Sequence, residues 1–188
     1  MPAGRGKTRV YVPATIDMLR RLVADGEVDA VSRTAFAVTA ALREAYTSGD
    51  DDELAEVAMS EAARASLRLL AARTDDESRT DDESRPAGKS GAEVPARRVV
   101  VAADVDEATP RPDLDDAVVR LVGPLTLASV ASVHVDLEGA TADVARAVEV
   151  IDAADMGDEE AEFVLGDAED HQLAWYATQE IPFLLEFL

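Results

Sequence analysis

A chain of 188 residues fits one domain, and hydrophobic residues make up 47% of it, so we expect a packed core and exclude global disorder. The formal net charge of -21 argues against direct binding to nucleic acid or to anionic membranes, because like charges repel. Cysteine is absent, and neither a signal peptide nor an apolar run of the ~18 residues that span a bilayer is recognisable, so we expect a cytoplasmic protein.

The acidic composition has three explanations that the sequence leaves open. Acidic side chains confer solubility, they suit a salt-adapted host, and they can imitate nucleic acid toward a basic partner protein. We favour solubility, because it requires no partner.

The N-terminal half predicts a strand followed by helices. We expect residues 1–8 to be a flexible extension and residues 9–13 to form a short strand. Thr15 can cap the next helix, and Gly26 can end it. The remaining expected elements are a strand over 34–38, a short helix over 40–47 capped by Thr39, and a long helix from about 50 to 73.

A perfect tandem repeat of Thr-Asp-Asp-Glu-Ser-Arg occupies residues 74–85. The apolar periodicity stops there, and a segment rich in Pro and Gly follows. Such a segment buries too little apolar surface to offset its ordering entropy. We therefore predict a disordered acidic insertion over 74–96, within one domain that spans residues 9–188.

The C-terminal half predicts more strands than helices. We expect a helix capped by Thr141, a hairpin formed by residues 161–165 and 171–176, and a short terminal helix with Pro182 in its first turn. Strands are expected over 97–103, 117–122 and 132–136. Together these elements predict an α/β fold (an α+β sandwich) with a mixed sheet of five to seven strands and helices packed on it, with a ferredoxin-like arrangement as the first candidate.

Candidate catalytic residues are His134 and Asp136, which lie two apart on a predicted strand and so share a face. A His and an Asp placed in this way could transfer protons or bind a metal. His171, which shares a predicted strand face with Trp175, is the third candidate. The alternative for all three residues is a structural role.

Candidate metal ligands are Asp104 and Asp106, which follow the most apolar predicted strand. Ligands gather at the carboxyl ends of sheet strands, and one or two carboxylates suit Mg²⁺. Clusters of this kind also arise by chance, because the chain holds 39 acidic residues. No cofactor-binding motif and none of the common hydrolase motifs occurs in the sequence, so we expect no cofactor.

Three segments resemble a family of small actinobacterial proteins that is classed as a domain of unknown function. They are residues 10–15 (Val-Tyr-Val-Pro-Ala-Thr), 34–39 (Thr-Ala-Phe-Ala-Val-Thr) and 175–181 (Trp-Tyr-Ala-Thr-Gln-Glu-Ile). The resemblance covers nearly the whole chain outside the insertion and the N-terminal extension. It implies no activity and no site residue.

Two functional hypotheses follow. The first is a non-enzymatic interaction or regulatory module that binds a protein partner or a second copy of itself, indicated by the acidic composition and the apolar residues 181–188. The second is a small-molecule or metal-dependent enzyme, which requires Asp104, His134, Asp136 and His171 to converge on one pocket.

Overall fold

The protein is described by a computed structural model over residues 6–80 and 95–188. The strands are β1 (Thr8–Ala14), β2 (Glu27–Val28), β3 (Thr34–Phe36), β4 (Val99–Val105), β5 (Ala108–Pro110), β6 (Val118–Leu121), β7 (Leu125–Thr126), β8 (Val130–Val135) and β9 (Ala174–Ala177). The helices are α1 (Ile16–Asp25), α2 (Ala40–Ala45), α3 (Asp51–Thr80), α4 (Thr141–Asp155), α5 (Glu159–Glu169) and α6 (Ile181–Glu186). This succession of elements confirms the α/β class that the sequence predicts.

Seven strands form one sheet in the order β5-β6-β3-β1-β4-β8-β9, and β2 pairs separately with β7. Every pairing in the large sheet is antiparallel, whereas the sequence predicted a mixed sheet. The reason is that β1 lies between β3 and β4, so the helical connection from β3 to β4 skips one strand. This is one split β-α-β unit of the ferredoxin-like kind. The strands after α1 do not form a second such unit, because β2 pairs with β7 outside the large sheet and β3 pairs directly with β1.

Helices cover both faces of the large sheet. Val10, Val12 and Val101 point into a core that includes residues of α1 and α6. Tyr11 and Ala102 alternate with them and point to the opposite face, where α3 packs. A third apolar cluster joins the second half of α3 to α4 and α5.

The helix caps predicted near the N-terminus are confirmed. The Thr15 hydroxyl accepts a hydrogen bond from the Met18 amide at 3.3 Å, and Gly26 ends α1 with a φ of 78°, a conformation that glycine adopts without steric cost. The Thr39 hydroxyl caps α2 by accepting from the Leu42 amide at 3.0 Å. These caps end β1 and β3 and turn the chain onto the two faces of the sheet.

The long helix α3 continues beyond its predicted end. It reaches Thr80, seven residues into the segment predicted to be disordered. A helix that is already nucleated and packed adds each further residue at little cost, so it extends into polar residues even though most of them have low helix propensity. Residues 81–94, which hold most of that predicted insertion, lie outside the described residues. At the N-terminus, the predicted extension overlaps β1 at Thr8, and residues 1–5 are also outside the described range.

The predicted hairpin in the C-terminal quarter is wrong in its first strand. Residues 159–169 form helix α5, and the Asp158 carboxylate caps it by accepting from the Ala161 amide at 2.9 Å. Ala161, Leu165 and Ala168 are buried at helical spacing, so the apolar face of α5 packs on α4. In the sequence, Phe163 interrupts that spacing and Gly166 suggests a turn, so the segment resembles a hairpin. The second strand of the hairpin exists as β9, at the edge of the sheet.

Within the described residues, no helix is long and apolar enough to cross a membrane.

A candidate ligand-binding cleft

An open cleft of about 210 Å³ lies between the first turns of α3 and the sheet. The β1–β4 and β4–β8 pairings place Tyr11 opposite Ala102 and Ala102 opposite Ser132, and the β8–β9 pairing places His134 opposite Trp175. The small side chain of Ala102 leaves space between its larger neighbours. The residues that line the cleft are Arg9, Tyr11, Ala55, Glu56, Met59, Ala102, Ser132, His134 and Trp175.

His134 is half-buried in the cleft, and its Nε2 atom lies 3.1 Å from the Ser132 hydroxyl oxygen. Burial lowers the pKa of the imidazole, and the positive charge of Arg9 lowers it further. The ring is therefore neutral at pH 7. A neutral imidazole can donate or accept one hydrogen bond at each nitrogen, so His134 and Ser132 form a polar pair without net charge.

Arg9 and Asp104 form a bidentate ion pair beside the cleft. Arg9 Nε donates to Asp104 Oδ1 at 2.7 Å, and Arg9 Nη2 donates to Asp104 Oδ2 at 3.0 Å. The Arg9 hydrogen bond lowers the pKa of the Asp104 carboxyl, so the pair stays ionised at neutral pH. Asp104, a candidate metal ligand, is thus engaged by a guanidinium.

Asp106, the other candidate metal ligand, is exposed and does not line the cleft. Both carboxylates line a shallow depression of about 440 Å³, together with Lys7, Glu107 and residues of the segment 121–129. Over residues 6–80 and 95–188, the structure contains no group of three His, Asp or Glu side chains that could hold a metal ion.

Asp136 makes no hydrogen bond with His134 among the described residues and instead forms a buried ion pair with Arg98. The two residues are only 1% and 2% exposed, respectively. Arg98 donates from Nε to Asp136 Oδ2 at 2.9 Å and from Nη2 to Asp136 Oδ1 at 2.7 Å, and its backbone amide donates to Oδ2 at 2.7 Å. These three hydrogen bonds connect the start of β4 to the end of β8, which indicates a structural role for Asp136.

His171 belongs to the same region as Asp136 and not to the cleft. Its carbonyl oxygen accepts a hydrogen bond from Arg98 Nη2 at 2.8 Å, and its ring Nε2 lies 2.7 Å from Asp143 Oδ2. Hydrogen bonds from His171 and Arg146 lower the pKa of the Asp143 carboxyl. Of the sequence candidates, the structure therefore brings together only Asp136 with His171, through Arg98, and Asp104 with Asp106.

The sequence did not indicate most of the cleft residues. Arg9 and Tyr11 alternate along β1, and Glu56 and Met59 lie one turn apart on α3, but these patterns are common in any half-buried strand or helix. What brings them to His134 is the position of β1 next to β4 in the sheet. No local pattern in the sequence indicates this strand order.

These observations define an α/β protein with a seven-stranded antiparallel sheet and an open cleft between that sheet and its longest helix. The chain belongs to the family of unknown function DUF6912, whose model matches residues 8–185. The family match confirms the resemblance to a domain of unknown function noted from three sequence segments. No curated protein and no solved structure matches the chain.

Proposed function

We propose that the chain is a non-enzymatic protein-interaction module of the cytoplasm and that its partner is a second copy of itself. The observation that supports this proposal is the exposure of Phe183 on α6 and of Phe187, the residue that directly follows this helix, which are 66% and 84% exposed. Ile181 and Leu184 of the same helix are buried in the core. The apolar C-terminus is thus divided between a face that closes the core and a face that lies in solvent.

Aromatic residues are scarce in this chain, which makes their exposure informative. The sequence has four Phe, one Trp and three Tyr. Five of these eight residues are exposed, namely Tyr46, Phe163, Trp175, Phe183 and Phe187. Aromatic side chains supply much of the binding energy at protein interfaces, so one exposed Phe on α6 and a second directly after it support a docking role.

Exposed charges of opposite sign on α1 and α6 support a second copy of the chain as the partner. Helix α1 packs against α6 and carries Arg21, which is exposed and makes no ion pair within the described part of the chain. Glu186 is exposed at the end of α6. A two-fold axis places the same surface on both copies, so Arg21 of one copy can lie beside Glu186 of the other. The net charge of -21 also supports the proposal that nucleic acid is not a direct partner.

Sedimentation equilibrium over a range of protein concentrations tests this proposal. We expect the mass to rise from the monomer value of 20.0 kDa toward twice that value, and to rise further with NaCl, because salt screens the repulsion between two acidic chains. Phe183→Ser with Phe187→Ser should remain monomeric. Phe163→Ser, which replaces an aromatic residue that is 76% exposed on α5, is the matched control and should still associate.

A wild-type protein that stays monomeric at every concentration and salt would overturn the homodimer. Association that survives the double variant would place the interface away from α6.

A second candidate function is the binding of a small molecule in the cleft beside His134. The observation that favours it is a concave site in which aromatic and polar side chains converge. We propose binding and not catalysis, because Asp104, His134, Asp136 and His171 do not converge on one pocket. Ala102→Leu fills the centre of the cleft and should abolish ligand binding.

A further inference from the structure

We propose that the cleft beside His134 binds a compact organic cation, such as a primary amine or a quaternary ammonium group. This inference rests on the second candidate function above and adds the chemical class of the ligand. Its basis is the combination of an unpaired carboxylate, aromatic side chains and an Arg9 cation that is already paired with Asp104.

The charges around the cleft favour a cation. Both oxygens of Asp104 accept hydrogen bonds from Arg9, so this carboxylate offsets part of the positive charge of Arg9, which still lowers the pKa of His134. Glu56 is exposed, lines the cleft, and has neither a hydrogen bond nor an ion pair among the described residues. Its carboxylate is therefore the free charge of the cleft.

Tyr11 adds no charge of its own to the cleft. Burial raises the pKa of its hydroxyl, Arg9 opposes that shift, and the carboxylates of Asp52 and Asp104 reinforce it. The phenol therefore remains protonated and dipolar at neutral pH. An anionic ligand would meet the carboxylate of Glu56, while the Nε and Nη2 groups of Arg9 are already engaged by Asp104.

The aromatic side chains supply the second half of the site. Trp175 is 61% exposed and lines the cleft together with Tyr11 and Met59. An organic cation near the face of an aromatic ring is attracted by the negative electrostatic potential of that face, and Trp is the strongest partner. A carboxylate beside aromatic rings is the arrangement that holds ammonium groups in proteins.

The size of the cleft limits the ligand. A volume of about 210 Å³ lies below the range of ~300–1,000 Å³ that is usual for drug-sized molecules. The cleft therefore fits a small ammonium group or the end of an amine side chain.

Trp175 is the only tryptophan in the chain, so its fluorescence reports on the cleft. We would titrate the full chain with tetramethylammonium chloride, with tert-butanol as a neutral analogue of similar shape, and with sodium acetate, all at constant ionic strength. The expected result is a saturable shift of the emission maximum with tetramethylammonium only.

Two matched variants test the carboxylate. Glu56→Gln should weaken binding of tetramethylammonium roughly fivefold, the effect of one nearby charge in a solvated site. Glu149→Gln removes an exposed carboxylate from α4 and should leave binding unchanged. Thermal melting of both variants establishes that each is folded, and Ala102→Leu should eliminate the shift.

Each other outcome overturns the inference in a distinguishable way. Saturable binding of tert-butanol or acetate in place of the cation would retain a small-molecule site but refute its cationic ligand. Equal weakening of tetramethylammonium binding by the two Gln variants would indicate a general effect of net charge and not a specific site. No saturable shift with any of the three compounds would refute both this inference and the second candidate function.

Discussion

The buried ion pair of Arg98 and Asp136 shows how a polar residue becomes part of the core of this protein. The guanidinium and the carboxylate are both almost fully shielded from water, and a bidentate contact and a backbone amide satisfy the carboxylate. Removing two charges from water is costly, and close pairing compensates for most of that cost. The pair therefore contributes little net stability when intact, whereas losing one partner is expensive.

Asp136→Asn should lower the free energy of unfolding by about 3–5 kcal/mol, because it leaves the Arg98 charge buried without its counterion. Urea unfolding at pH 7, followed by circular dichroism, measures the change. The control is Arg98→Met combined with Asp136→Leu, which removes both charges and should recover most of the lost stability. A double variant as unstable as Asp136→Asn would show that the hydrogen bond to the His171 carbonyl, and not charge balance, dominates.

His134 should titrate below the ordinary histidine value near 6.5, because burial and Arg9 disfavour its charged form. At pH values between the folded and unfolded pKa values, the unfolded chain holds more protons. The free energy of unfolding should therefore fall as the pH drops below about 6.5. The chain has only two His residues, so proton NMR of the imidazole resonances and the variant His134→Gln assign the titration. A midpoint at or above 6.5 for His134 would contradict the lowered pKa.

At the scale of elements, local signals decide which predictions succeed. Helix α1 has both a Thr cap and a Gly terminator at the positions where the sequence predicts them. Helix α5 was missed even though Asp158 caps it and its buried residues recur at helical spacing, because Phe163, Val164 and Gly166 favour a strand and a turn locally. Burial of one face against α4 outweighs that local preference, and the sequence does not show this contact.

The two helix starts at α4 and α5 differ in a way that a stability measurement resolves. Asp158 satisfies an amide at the start of α5, whereas Thr141, the predicted cap of α4, is already its first helical residue and has a buried hydroxyl oxygen without a partner among the described residues. Asp158→Ala should cost about 1 kcal/mol of stability. Thr141→Val should increase stability by about 1 kcal/mol, because it replaces a buried unsatisfied hydroxyl with a methyl group of the same shape.

Thermal or urea unfolding of the two single variants provides the comparison. A loss of stability in Thr141→Val would mean that the hydroxyl has a hydrogen-bond partner, such as an ordered water.

At the scale of the whole molecule, composition and periodicity predicted the fold class, but not the strand order or the cleft. The α/β class follows from the apolar runs along the chain. The predicted range of five to seven strands agrees with the seven-stranded sheet, although the predicted set includes residues 161–165, which lie in α5, and lacks β5. The cleft depends on contacts between β1, α3, β8 and β9, which are far apart in sequence. The strand pattern around His134 makes this residue a candidate, whereas nothing in the sequence around Arg9 or Glu56 indicates that they line the same cleft.

The central position of β1 also affects the order of events during synthesis. Thr8 pairs with Val105 and Ala14 with Val99, so β1 gains its β4 neighbour only after synthesis has continued through Val105. At roughly 5–20 residues per second, the delay lasts about 5–20 s. During that interval one edge of an apolar Val-Tyr-Val strand stays unpaired, which favours slow, non-local folding. The nascent chain is therefore most vulnerable to aggregation before residue 105 leaves the ribosome.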